Sequence, residues 1–193
     1  MDVQHSHHMA TSSDQGKALT DHPVELINIG NKYLKQPSDR TQRKDLMEAQ
    51  KHFSKVIEYY KADPSTPLKQ VSRICQKLME TSIRLSMAAR QSAERQQHAD
   101  QAREYGEKLL ANARMSQDDC MVAQAEFMLA CVGVWNVYVA ASLTKVEPCA
   151  HPKCEAAEVM LEHRLNELRQ YPHLDMETYE GQARNYQRYL KPR

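Results

Sequence analysis

The chain has 193 residues, of which 41% are hydrophobic and 26% charged, a balance that excludes a disordered chain and supports one domain with a real core. Lys and Arg number 26 against 25 Asp and Glu, for a net charge of +1, without the basic excess of a nucleic-acid binder. Five glycines are too few for a sandwich, a barrel or a Gly-rich nucleotide loop.

Met1 to Thr20 is polar and aperiodic, with His5, His7 and His8 close together. It reads as a disordered arm on a helical domain spanning 21–193. It shows no cationic segment followed by an apolar stretch, so no signal peptide is expected. The cysteines, Cys75, Cys120, Cys131, Cys149 and Cys154, are odd in number and suit a reducing compartment, cytoplasm or nucleus.

From His22 onward, apolar residues recur at helical spacing between short breaks. The breaks are Gln36 to Asp39, Asp63 to Pro67, Met115 to Asp118, Glu147 to Pro152 and Tyr171-Pro172, with a weaker one near Ser92 to Gln97. Proline cannot continue a helix, and Ser or Asp beside it is a good N-cap. Seven helices are therefore predicted, over 22–36, 41–62, 67–92, 95–115, 117–145, 153–170 and 174–190. In the second, Leu46, Ala49, Phe53, Val56, Ile57 and Tyr60 share one face. In the fifth, no apolar run reaches the roughly 18 residues of a membrane span, because Gln124, Glu126 and Asn136 interrupt Met121 to Leu143. No membrane contact is expected.

Chemical motifs are sparse. No Gly-rich phosphate loop, Gly-x-Ser-x-Gly elbow or His-Glu-x-x-His occurs. The sequence Cys149-Ala-His-Pro-Lys-Cys154, with His163 beyond it, offers thiol and imidazole groups of the kind zinc takes. A second spaced cysteine pair is missing, and a proline-stiffened loop explains the same residues. Neither enzymatic activity nor a metal or other cofactor is expected. Arg84, Arg90, Arg95 and Arg103 interleave with Glu80, Glu94, Glu104 and Glu107, a mixed surface and not a phosphate track, so no nucleic acid is expected as a partner.

The first hairpin resembles a tetratricopeptide repeat. Leu26, Ile29, Gly30 and Tyr33 stand where the first helix of that family carries its large, Leu-Gly and Tyr positions. Ala49, Phe53 and Val56 match the second helix, and Asp63-Pro64 closes the unit. The spacing returns at Leu78, Thr81, Ser82 and Leu85, then at Leu129, Val132, Gly133 and Asn136. These offsets of 52 and 51 residues exceed the family's period of about 34. Ala102, Gly106, Leu109 and Leu110 repeat the second-helix pattern, and Ala157, Leu161 and Leu165 do so more loosely. Gly30, Ser82 and Gly133 are the expected points of close helix approach. The resemblance implies an all-α fold of antiparallel helical hairpins, three pairs in an array, with the polar last helix as a solvated C-terminal cap.

The resemblance also implies a function: a non-enzymatic adaptor or scaffold docking a partner's peptide or amphipathic helix in an apolar concave groove. Its lining would come from Ile27, Asn31 and Leu34 of the first helix, Met79, Ile83 and Met87 of the third, and Phe127, Val134 and Tyr138 of the fifth. Of the residues with which chaperone-binding members clamp a terminal carboxylate, only Asn31 has a counterpart. Ile27, Glu80, Phe127 and Cys131 replace the rest, so chaperone tails are disfavoured. The alternative is a closed bundle that self-associates as a homodimer with a regulatory or oligomerisation role, in which the same residues would be core.

Overall fold

The computed structural model describes residues 22–35 and 42–192. The expected N-terminal arm and the break at Gln36 to Asp39 lie outside them. Among the described residues there are seven α-helices, in the order α1 Pro23–Lys35, α2 Gln42–Ala62, α3 Leu68–Ala88, α4 Ser92–Met115, α5 Asp119–Thr144, α6 Cys154–Leu168 and α7 Met176–Gln187. No strand occurs among the described residues, and the fold is all-α. The main packing partners of each helix are its neighbours in the chain, with α7 reaching back to α5 as well. The helices therefore form a row and not a closed ring.

Most boundaries match the predicted breaks, and local chemistry explains them. Asp118 caps α5 by accepting the Met121 N–H at 3.0 Å, and Asp175 caps α7 by accepting from Thr178. At its other end α5 stops where Lys145 turns left-handed, with φ of 56°. A short 3-10 turn, Pro148–Ala150, stiffens the loop before α6. The α3–α4 boundary departs most from expectation. The break lies at Ala89 to Gln91, earlier than predicted, and neither flanking helix has a side-chain N-cap. Tertiary bonds set the turn instead: Arg95 donates to the Ala89 carbonyl at 3.2 Å, and Ser86 donates to the Arg95 carbonyl at 2.8 Å.

Close approach occurs at two of the three expected points. A Cβ on Gly30 would lie 2.7 Å from the buried Phe53 ring, so α1 and α2 meet where the repeat pattern places them. Ser82 is fully buried and accepts from Gln50 of α2 at 3.2 Å. Gly133 is a correction: a Cβ there would meet nothing within 4 Å. Its neighbours Val132 and Val134 point into the core, leaving Gly133 on a half-buried side. Gly106 on α4 makes the other tight contact, with Leu129 of α5 2.8 Å from its would-be Cβ.

Two apolar clusters result. The smaller joins α1, α2 and α3 through Leu26, Ala49, Phe53, Val56, Ile74 and Leu78. The larger runs from α3 to the C-terminus around α5. That helix is, by length and composition, apolar enough to cross a membrane, with a mean hydropathy of 1.6 over its most apolar stretch. This corrects the expectation that the interrupting polar residues lower it below that level. Here α5 is the central core helix, and Glu126 pairs with Arg114 of α4 at 3.2 Å and Arg164 of α6 at 2.8 Å. Trp135 donates to the Ser86 hydroxyl at 3.0 Å, tying α5 to the α3–α4 turn.

Candidate functional site

The nine expected groove residues separate by burial. Ile27, Asn31 and Leu34 of α1 are half-buried, with Ile27 and Leu34 resting on the smaller cluster. Met87 is exposed and Tyr138 half-buried. Met79, Ile83, Phe127 and Val134 are buried in the larger core, which corrects the expectation that they face a partner. The nine do not form one open apolar surface.

The last helix accounts for much of this. Its sequence predicts a polar cap, and Arg184, Asn185 and Arg188 are indeed exposed. Its other face carries Tyr179, Ala183 and Tyr186, with Tyr189 and Leu190 in the turn beyond, a near-helical spacing of apolar residues. Tyr179 packs edge-on against Phe127, with ring centroids 5.4 Å apart. Tyr189 packs against Trp135 at 5.0 Å and Tyr138 at 5.2 Å. Burial pushes the Tyr186 hydroxyl well above its usual range, with Cys131 of α5 and Glu80 of α3 adding to the shift. The aromatic side of α7 thus covers the inner side of α5.

What stays open is a groove of about 810 Å³ between α3, the N-terminal half of α5, and α7 with the loop before it. From α3 come Lys69, Ser72, Arg73, Gln76 and Glu80. From α5 come Met121, Gln124, Ala125 and Met128, and from the C-terminal segment His173, Leu174, Tyr179 and Gln182. The spacing of the α3 set is that of one helix face. Gln76 donates to Glu80 at 3.0 Å, and Gln124 donates to the Tyr179 hydroxyl at 2.8 Å. Cys120 lies at the edge with its Sγ 3.4 Å from His173 Nε2. Burial and the nearby Asp118 push its thiol above the ordinary value, which favours the neutral thiol over the nucleophilic thiolate. Among the described residues, no group of three or more His, Cys, Asp or Glu side chains is placed to hold a metal ion.

Ser72 is the anomaly in this lining. Its side chain is 4% exposed, yet its Oγ has no hydrogen-bond partner. Of the groove residues on α3, Glu80 is named from the sequence, at a carboxylate-clamp position of the family pattern and in the mixed-charge surface. The polar stripe Lys69-Arg73-Gln76-Glu80 was legible as a helix face. That it fronts an opening depends on where α5 and α7 sit. The basic residues weighed for nucleic acid are largely tied into the fold: Arg84 donates to the Leu34 carbonyl at 3.1 Å, capping the end of α1, and Arg103 pairs with Asp100.

Comparison of the chain with family models, curated proteins and solved structures gave no match.

Proposed function

We propose that the chain is a non-enzymatic protein-interaction module that docks a partner peptide in the groove between α3, α5 and α7. The observation that carries this reading is an open groove of about 810 Å³ lined by side chains of α3, α5 and α7. The lining mixes apolar residues with amides, as a peptide's side chains and backbone require. The tetratricopeptide resemblance of the first hairpin supports an interaction role, with the site displaced from the fully apolar surface that resemblance implies.

Affinity capture with the wild-type chain beside Arg73→Glu and Ile27→Glu variants tests the site. A partner kept by wild type and Ile27→Glu but lost by Arg73→Glu supports the α3–α5–α7 groove. Loss only with Ile27→Glu moves docking to the α1 face. Self-association is the second reading, favoured by Val159 and Met160, adjacent and exposed on α6. Light scattering of the protein alone would then report a dimer.

A further inference from the structure

We infer that Cys120 and His173 form a base-assisted thiol site, in which Cys120 exchanges with a small disulfide and is left as a mixed disulfide at the edge of the groove. The site stands whatever segment the groove docks.

Two elements far apart in the chain meet here. Cys120 lies in the first turn of α5, and His173 in the loop before α7 places its Nε2 3.4 Å from the Cys120 Sγ. The Tyr171 ring stands edge-on to the imidazole, with centroids 6.2 Å apart, and steadies it. With the ring proton on Nδ1, Nε2 accepts and the thiol donates. A nucleophile within bonding reach of a base is the arrangement that activates a thiol. The titratable groups around the pair are Asp118 and Asp119 at the start of α5, Tyr171 and Asp175 in the loop, Tyr179 on α7 and Glu167 on α6. Lys69 and Arg73 of α3 line the same groove. Carboxylates close by disfavour a free thiolate and favour an imidazolium beside it. Attack therefore proceeds from the neutral thiol, with its proton passing to His173.

The other cysteines lack this combination. Cys75, Cys131 and Cys154 are buried, and Cys149 is exposed. Among the described residues, none of the four has a hydrogen-bonded imidazole. Cys120 is half-buried, and it and His173 both line the groove of about 810 Å³, a volume typical of small-molecule sites. The attached half of a mixed disulfide has room there.

In the exchange, the Cys120 sulfur attacks one sulfur of the disulfide while its proton moves to Nε2. A new S–S bond forms and the old one breaks. The leaving sulfur takes the electron pair of the broken bond and then the proton from the imidazolium. Cys120 is oxidised, the released thiol is the reduced product, and no other oxidant is required.

Oxidised glutathione added to the whole chain, with each cysteine followed by peptide mass spectrometry, tests the site. Cys120 should be modified about tenfold or more faster than the more exposed Cys149 at neutral pH. His173→Gln should slow Cys120 by a similar factor and leave Cys149, the internal control, unchanged. The pH profile separates a base from a merely structural neighbour. Between neutral pH and about 8.5, the wild-type rate at Cys120 should be nearly level, whereas in His173→Gln it should rise about tenfold per pH unit, because only ionised thiol then reacts. Reaction at Cys149 as fast as at Cys120, or a Cys120 rate and pH profile unchanged by His173→Gln, overturns the proposal.

Discussion

The sequence spacing leads one to expect equivalent surroundings for one side of α1 and one side of α5, and the two differ. On α1, Ile27, Asn31 and Leu34 remain half-buried. On α5, Phe127 and Val134 are fully buried, and Phe127 and Tyr138 have Tyr179 and Tyr189 against them. A sequence pattern specifies which face of a helix is apolar. Whether that face meets a partner or another part of the chain depends on where the more C-terminal helices pack. Here the C-terminal segment closes one end of the inner surface and leaves a groove beside α3.

The strongest way to break this contrast is to place charge on both sides of it. Ile83→Glu puts a carboxylate at a position 4% exposed and should unfold the domain, since an unpaired buried charge costs several kcal/mol against a small total stability. Phe127→Ala should cost about 3–5 kcal/mol. Ile27→Glu, at a half-buried position, should remain folded with a modest drop in melting temperature. Thermal melts of the three variants check the ranking, and equal losses for Ile27→Glu and Ile83→Glu would erase the distinction between open and closed faces.

Two glycines sharpen the comparison at smaller energies. Gly30→Leu drives a side chain into the buried Phe53 ring and should destabilise by about 1–3 kcal/mol. Gly133→Ala adds a Cβ in open space and should stabilise by about 0.5–1 kcal/mol, the helix preference of Ala over Gly. Opposite shifts in melting temperature are expected. A fall for both would place Gly133 at a helix contact after all.

The smallest expected effect lies at the start of α7. The Thr178 hydroxyl and N–H hold the Asp175 carboxyl below its ordinary value of 3.8. A lowered folded-state pKa stabilises the fold above the ordinary value, and that contribution is lost as pH falls through the folded value. Asp175→Ala should therefore lower the melting temperature slightly at neutral pH and flatten its decline below about pH 4. Melts across that pH range measure both.

The fold was largely legible because its signals are local. Proline breaks, the aspartate cap at Asp118, and the Leu26-Gly30-Phe53 contact all depend on residues close in sequence or on one strong spacing pattern. The α3–α4 turn was misplaced because Arg95 and Ser86 set it through tertiary bonds that no cap residue announces. The register of the third repeat failed at Gly133, where Leu and Val at helical spacing fit the pattern while turning the glycine away from its neighbours. Gly106 took the tight contact instead. For the site, sequence identified the inner helices but not which residues stay accessible. The aromatic spacing of Tyr179, Tyr186 and Tyr189 was the available signal, masked by the charged face of the same helix. Ser72 carries no sequence signal at all. Its buried, unpartnered hydroxyl is visible only in the structure.

The seating of the C-terminal aromatic face on α5 divides the inner surface, and the sole tryptophan reports on it directly. Trp135 is 2% exposed and in contact with Tyr189. Its fluorescence should be blue-shifted and poorly quenched by iodide in the wild-type chain, and Tyr189→Ala should shift it to the red and increase quenching while the far-ultraviolet helix signal stays. An emission spectrum and iodide quenching identical in wild type and Tyr189→Ala would contradict the account, because the C-terminal segment would not then cover α5.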